Sequence, residues 1–245
     1  MKKKISIIVP CLNEEKNIKR LYLEIKKKFR NNSYEVIFVD DDSTDDSQIE
    51  IINIHKKYKN IKYIFRKNDK DISRSFFEGL IKSKSEYAIL MDCDLQHDPR
   101  VLNKLFETIK INNLDCVSGS RFMKKSINNT KKFKYTFRFT LSKILNFFIN
   151  TLLGISLSDP LTGIFIVKRK TFINQKKKLY LNGYKVFLDF YLSYLEHKNL
   201  HTEIPIKINE RIYGESKVNL ITLINILKLI FIKFVNNFFL KFQNK

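Results

Sequence analysis

Short apolar runs alternate with longer mixed segments through the first half of the chain. Ile5–Val9 is a β-branched run stopped by Pro10; Glu35–Val39, Ile61–Phe65 and Glu86–Met91 repeat the pattern, and Cys116–Val117 opens a fifth run. Between these strands the apolar positions take a helical spacing. Asn13 caps the first helix, with Glu14 and Glu15 in the first turn, where the helix dipole favours acids. Ser43-Thr44-Asp45-Asp46 reads as a capping-box-like start to a helix through Tyr58. Ser73–Lys82 gives another helix, and Asp98-Pro99 opens the next with proline in its first position. Apolar strands alternating with helices predict an α/β fold, with a parallel, doubly wound sheet covered on both faces. Ligands of such sheets bind at the carboxyl ends of the strands.

The second half has a different texture. Phe133–Leu153 is a long apolar-aromatic helix in which Lys134, Arg138, Ser142, Asn146 and Asn150 form one polar stripe. Ile164–Val167 predicts a strand, Val186–His197 a helix and Glu203–Ile208 a last strand; Val218–Phe242 is strongly apolar, interrupted by Lys228 and Lys233. With no internal repeat and no Gly/Ser/Pro linker, the expected organisation is one domain over 1–217 and a membrane-associating tail over 218–245. A striped helix of this kind lies in a membrane interface with its apolar side down, and lysines of the tail reach headgroups along their alkyl stems. Core burial and a dimer contact are the competing readings of both helices. No stretch approaches the roughly 18 uncharged apolar residues of a membrane span, and Ile5–Val9 is too short for a signal-peptide core.

Composition narrows the picture modestly. With 44% hydrophobic and 29% charged residues over 245 positions, the chain is of the folding kind. Its 46 Lys and Arg against 25 Asp and Glu give a net charge of +21, which attracts nucleic acid, anionic membranes and phosphorylated substrates alike. Codon bias is an equally good source of the lysines, so charge alone does not choose. Cys11, Cys93 and Cys116 are odd in number and unpaired in spacing. They predict reduced thiols of a cytosolic setting, neither a disulfide framework nor a zinc site.

The acidic residues gather where strands end. In Met91-Asp92-Cys93-Asp94-Leu95-Gln96, extended chain would put Asp92, Asp94 and Gln96 on one side. Two carboxylates and an amide oxygen suit a hard divalent cation that keeps water and substrate phosphates as its other ligands. A solvated acidic loop that caps the next helix is the alternative. Val39-Asp40-Asp41-Asp42-Ser43 ends the second strand similarly; Asp42 and Ser43 suit a helix cap, and Asp41 suits contact with a nucleobase or ribose. His97 reads as a surface histidine, and Asp189 either orients Arg or Lys groups or is a plain helix-surface carboxylate.

Taken together, Val9-Pro10-Cys11-Leu12-Asn13-Glu14, Val39–Ser43, Met91–Pro99, Ser118-Gly119-Ser120-Arg121-Phe122, Asp159-Pro160-Leu161-Thr162-Gly163 and Arg211-Ile212-Tyr213-Gly214-Glu215-Ser216-Lys217 resemble, in family order, a family-2 glycosyltransferase of the polyprenyl-phosphate type. The resemblance implies a GT-A fold, Rossmann-like and mostly parallel, with added amphipathic interfacial helices. It implies a nucleotide-sugar pocket of Pro10, Leu12, Glu14, Val39, Asp41, Asp92 and Cys93, closed by Arg211 and Lys217. Asp92, Asp94 and Gln96 would hold Mg²⁺ or Mn²⁺, and Arg121, Arg138 and Ser142 the acceptor phosphate, with Asp94 and Arg121 the catalytic pair. Leu12 departs from the family's frequent tyrosine, and Ile72-Ser73-Arg74-Ser75 replaces its Gly-Leu-Gly element.

The activity this implies is inverting transfer of a sugar, mannose from GDP-mannose first, to a polyprenyl (dolichyl or undecaprenyl) phosphate. The site would lie at the cytoplasmic face of a membrane, with room for a partner subunit that supplies membrane spans. An acceptor phosphate is already an anion, so it needs charge neutralisation more than a general base, which fits the lack of an obvious catalytic histidine. UDP-glucose or another UDP-sugar is the alternative donor. A glycan hydroxyl acceptor would leave Arg121 and Arg138 without a purpose. Nucleic-acid binding is disfavoured by the acidic clusters at 40–46 and 92–98 and by the lack of a recognisable motif.

Overall fold

The computed structural model describes residues 4–29, 33–67, 70–124, 126, 133–181, 183, 185–195, 198–214, 224, 226–233 and 235, with the backbone alone for 133–138. Seven strands, β1 (Ile5–Cys11), β2 (Tyr34–Asp41), β3 (Ile61–Arg66), β4 (Tyr87–Leu90), β5 (Cys116–Ser120), β6 (Phe165–Lys168) and β7 (His201–Pro205), form one sheet in the order β3-β2-β1-β4-β6-β5-β7. The helices are α1 (Glu15–Lys28), α2 (Ser47–Lys57), α3 (Ile72–Lys82), α4 (Val101–Ile111), α5 (Phe133–Leu153), α6 (Arg169–Asn174) and α7 (Val186–Phe190). β1, β2, β3 and β4 run parallel, as do β5 and β7; β6 lies antiparallel between β4 and β5.

Strand alternation divides the core into two layers. Ile5, Ile7 and Val9 of β1 face α1, α2 and α4, while Ile8 joins Ile37, Val39 and Ala88 on the face covered by α3, α5, α6 and α7. α3 crosses β1 at Gly79, where a Cβ would stand 2.5 Å from the Ile8 side chain, so only glycine lets helix and strand approach this closely. β2 and β3 extend the sheet on one side of β1, and β4 lies on its other side. The order in which strands are added thus reverses between β1 and β4, the place where sheets of this kind bind ligands at the strands' carboxyl ends.

Several local expectations change. Asn13 does not cap α1: it has φ 53°, and the first turn is capped across the chain, with Glu14 N–H donating to Ser47 Oγ at 2.8 Å and Glu15 N–H to Asp45 Oδ2 at 3.2 Å. Ser43 and Asn13 instead tie the two loops together, through Asn13 N–H to Ser43 Oγ at 2.9 Å and Thr44 N–H to Asn13 Oδ1 at 2.8 Å. α2 accordingly starts at Ser47, and α4 at Val101, past Pro99. The helix expected over Val186–His197 is α-helical only to Phe190 and widens into a π-turn over Tyr191–Leu195. That turn brings both Phe187 and Tyr191 onto the His201 ring, at 5.3 and 5.4 Å. The last strand lies earlier than expected, and Ile208 forms only a bridge to His97.

The described part of the tail is not a separate appendage. Ile226, Leu229 and Ile230 are buried in the same core layer as Ile149 and Leu153 of α5. Lys233 does not reach outward: its Nζ pairs with Asp189 Oδ1 at 2.8 Å and donates to Ser193 Oγ at 2.6 Å. Asp189 is correspondingly buried, not a surface carboxylate. Among the described residues no helix is long and apolar enough to cross a membrane.

Candidate active site

The carboxyl ends of β2, β1 and β4 bring the donor-side residues together. Pro10 pairs in register with Val39 and Cys11 with Asp40, so Leu12 and Glu14 leave β1 beside Asp41. Glu14 is buried and accepts from Asn17 Nδ2 at 2.6 Å. Val39 and Cys93 turn their side chains into the core, so neither presents a side chain to the donor site expected there. All three cysteines are buried free thiols.

Asp41 is buried against Arg66 of β3, whose Nη1 donates to its Oδ1 and, at 3.0 Å, to Ser75 Oγ. Burial pushes Asp41 up to about 6, against the opposing pull of the guanidinium. The departure at Ile72–Ser75 now has a structural account. It is a helix start, capped by Asp71 accepting from Arg74 N–H at 3.0 Å, and its Ser75 helps hold Arg66.

The metal-type motif lies beyond the end of β4, in a turn and not in extended chain. Leu95 takes φ 61°, a conformation costly for a branched residue. The turn lets Asp94 Oδ1 accept from Gln96 N–H at 3.0 Å. Asp94 Oδ2 and Gln96 Oε1 both face Arg211 Nη2, at 2.7 and 3.4 Å. Asp92 keeps 37% of its side chain open. Protein crowding, and next the Asp94 charge, still raise it to about 7. Gly163 makes room for it, since a Cβ there would stand 2.7 Å from Asp92 Oδ2. No group of three His, Cys, Asp or Glu forms a metal cluster among the described residues. The oxygen set here, with Asp94 and the Gln96 amide already gathered on Arg211 and Asp92 partly open nearby, nevertheless fits a hard divalent ion completed by a diphosphate.

His97 is buried, not a surface residue. Its Nδ1 has no hydrogen-bond partner, its Nε2 lies 3.8 Å from Asp92, and burial lowers it to about 4, so it is neutral. The loop carrying Arg211 closes toward α1: Asn17 Nδ2 donates to Tyr213 O at 3.4 Å, and Gly214 takes φ 80° with Glu14 beside it.

The second cluster follows β5. Arg121 is held by Asp159 through Nε (2.7 Å), Nη2 (2.8 Å) and its backbone N–H (3.1 Å). Burial disfavours the Arg121 charge, but Asp159 more than offsets this and raises its pKa. Asp159 is held in turn by Glu203 of β7, which accepts from the N–H groups of Ser158 and Asp159 at 2.7 and 3.0 Å. α5 grips the same loop, with Asn146 Nδ2 donating to Ser158 O at 3.3 Å and Asn150 Nδ2 to Leu157 O at 2.7 Å. The stripe thus faces inward in this half of the helix, while Leu141, Ile144, Phe147, Phe148 and Leu152 are exposed. Ser142 is half-buried one turn before Asn146. The Arg138 side chain and Lys217 lie outside the described residues.

Sequence reasoning missed Asp159 as the Arg121 clamp, although its motif was visible, and missed Arg66 and Lys185 altogether. Lys185 precedes α7 and donates from Nζ to Leu161 O at 3.3 Å. Burial, then the Arg121 charge, lower it to about 8, while Asp159 and Asp92 pull the other way.

The comparisons agree with this geometry. Glucosyl-3-phosphoglycerate synthase from Mycobacterium tuberculosis, solved with UDP, superposes with a TM-score of 0.69 over 95% of this chain and 80% of its own, at 16% identity, and so shares the α/β GT-A fold. Dolichol-phosphate mannosyltransferase from Pyrococcus furiosus is 30% identical over 224 residues, 88% of this chain. This chain spans 59% of that relative's length. The Saccharomyces cerevisiae enzyme of the same name is 28% identical, over 87% of this chain and 80% of its own. The pattern of Glycosyl transferase family 2 matches residues 6–174. Acidic residues gathered at the β1/β4 switch of a GT-A fold, and a family match across most of the chain, make this a glycosyltransferase: the chain belongs to glycosyl transferase family 2.

Proposed function

We propose that this chain transfers a hexose, mannose from GDP-mannose first, to a polyprenyl phosphate at a membrane surface, by inverting displacement. The observation that carries the reading is α5. Its Asn146 and Asn150 point inward onto the loop that positions Asp159 and Arg121, beside the buried Ile149 and Leu153, while a second apolar set, Leu141, Ile144, Phe147, Phe148 and Leu152, stays exposed. A helix that only covers a soluble core keeps that outer face polar. An apolar outer face tied to an anion-binding Arg is what a lipid-borne phosphate requires. The mannosyltransferase names of the relatives support the same substrate class.

In this reading Pro10, Leu12, Glu14 and Asp41 line the nucleoside end of the donor pocket. Asp92, Asp94 and Gln96 would hold Mg²⁺ or Mn²⁺, which neutralises the diphosphate leaving group when bound. Arg211 would pass from Asp94 to the diphosphate, and Lys217 is assigned to the same donor contacts by its motif alone. Arg121, Arg138 and Ser142 orient the acceptor phosphate, whose oxygen attacks the sugar carbon as the sugar–phosphate bond breaks. No proton need be removed from that oxygen at neutral pH. The described part of the tail packs into the catalytic unit through Ile226, Leu229 and Ile230 and adds Ile224, Leu227 and Phe231 to the exposed apolar surface. The enzyme acts as a peripheral protein of the cytoplasmic face.

A donor screen tests this. Purified protein, polyprenyl phosphate and Mg²⁺ or Mn²⁺ are incubated with radiolabelled GDP-mannose, UDP-glucose or related donors, and label entering the organic phase is counted. Chelator-sensitive lipid product is expected from GDP-mannose. Product from a UDP-sugar alone would move the donor assignment, and transfer only to water-soluble glycans would end the lipid reading.

A further inference from the structure

One short loop, 159–163, meets three charged groups. Asp159 clamps Arg121, the Leu161 carbonyl accepts from Lys185 Nζ at 3.3 Å, and Gly163 admits Asp92. Lys185 therefore stands between the Arg121 cluster and the metal-type carboxylates. The cations around it are already matched: Arg66 to Asp41, Arg121 to Asp159 and Arg211 to Asp94. Among the described residues no carboxylate comes within ion-pairing distance of Lys185, and one carbonyl satisfies one of its three N–H groups.

Three described backbone N–H groups just before Lys185, those of Tyr180, Leu181 and Gly183, are held by side-chain carboxylates. Asp189 Oδ2 accepts from the N–H groups of Tyr180 and Leu181 at 2.7 and 3.2 Å. Asp71 accepts from Gly183 N–H, and Gly183 O accepts from Ser73 N–H at 3.3 Å. Leu181 takes φ 47° and Gly183 φ 89° within this strap. A half-buried ammonium without a counter-charge, held rigidly beside the reacting centre, costs stability unless an anion completes it.

We propose that Lys185 is a phosphate ligand of the transfer site, donating to a phosphate oxygen of the reacting pair. That oxygen belongs either to the donor diphosphate or to the acceptor monoester, because Lys185 lies between Asp92 and Arg121. The assignment rests on the transferase reading above and adds to it a cation that the motifs do not mark.

The test is equilibrium binding by calorimetry with the full chain, wild type, Lys185→Met and Lys185→Arg, using farnesyl monophosphate in detergent and, separately, GDP or UDP with Mn²⁺. Lys185→Met should bind one of the two phosphate ligands at least about tenfold more weakly, as expected for a lost charge-assisted hydrogen bond. Lys185→Arg should restore most of that loss, and the KM for the same substrate should rise in parallel. The melting temperature of Lys185→Met should hold or rise, since a buried charge has been removed. A loss confined to farnesyl monophosphate identifies the acceptor phosphate, and one confined to the nucleotide identifies the leaving diphosphate. Unchanged affinity for both ligands overturns the proposal, as does a loss that comes with a lower melting temperature and is equally present in Lys185→Arg. If wild type binds farnesyl monophosphate no better than farnesol, the lipid-acceptor reading falls, and the nucleotide arm still decides the role of Lys185.

Discussion

The proposed donor side and the proposed acceptor side of the site are built from opposite charges. At the ends of β2, β1 and β4 the charged groups are carboxylates: Asp41, Asp92 and Asp94. On the other side they are cations, Arg121 after β5 and Lys185 before α7. Each side is partly neutralised by the protein. Arg66 and Arg211 cover two of the donor-side acids, and Asp159 covers Arg121. The difference lies in how permanent the cover is. Arg211 reaches Asp94 from a loop through Nη2, whereas Asp159 holds Arg121 through Nε, Nη2 and the backbone N–H and is itself tied to Glu203. A reversible pair suits a site that must accept a cation; a permanent one suits a guanidinium that must stay in place.

Substitution on each side should separate these roles, and the largest effect on activity is expected on the donor side. Asp94→Ala should lower transfer by about a hundredfold to a thousandfold and abolish detectable Mn²⁺ binding. Its melting temperature should change little, because Arg211 can swing into solvent. Unimpaired Mn²⁺ binding would remove Asp94 from the ligand set. Asp159→Ala should show the reverse balance. Leaving the part-buried Arg121 unpaired should cost about 1–3 kcal/mol of stability, measured by urea unfolding, with transfer falling because Arg121 is misplaced. A stability loss below about 1 kcal/mol would make the pair an ordinary surface ion pair and erase the contrast.

The two sides were also unequally legible in the sequence. Donor-side acids stand directly after apolar strands, so a local pattern exposed them, along with the sheet itself. Even there the detail came from tertiary structure: Asp94 and Gln96 meet through the left-handed turn at Leu95, not by strand alternation, and Asn13 serves a loop pair where a cap was expected. On the acceptor side almost every contact is long-range. Arg121 and Asp159 are 38 residues apart, and Ser158 and Glu203 are 45 apart. The stripe of α5 was visible as a period, but its direction, inward onto the 157–159 loop, depends on partners no helical pattern reveals. Lys185 had no signal at all, being one lysine among many in a basic chain.

A smaller perturbation probes where the two sides touch. Gly163→Ala would put a Cβ 2.7 Å from Asp92 Oδ2 and push that carboxylate out of place without disturbing Asp159. Transfer should fall roughly tenfold to a hundredfold, the usual cost of small misplacements at a reacting centre. The fall should come with weaker Mn²⁺ binding and unchanged affinity for farnesyl monophosphate. Weakened binding of the lipid phosphate alone would mean that the 159–163 loop serves the acceptor side only.

The smallest effect concerns pH and the way each side is packed. Each carries a neutral buried histidine, His97 near the carboxylates and His201 under the acceptor side, and burial lowers both to about 4. His201 contacts Ser118 Oγ at 2.9 Å and otherwise the Phe187 and Tyr191 rings, and among the described residues no carboxylate pairs with it. Below the ordinary histidine value of about 6.5 the unfolded chain takes up a proton that the folded chain refuses. Stability should therefore fall as pH drops from about 6.5 and level off near 4, with His201 contributing on the order of 1–2 kcal/mol, discounted for its partial exposure. His201→Phe should flatten that part of the profile. It should also lower stability by a pH-independent amount of about 1–3 kcal/mol, because the buried Ser118 hydroxyl loses its partner. Urea midpoints of wild type and variant between pH 7 and 4.5 give both quantities. Parallel profiles would mean that the acid sensitivity resides on the donor side, with His97 and its neighbouring carboxylates.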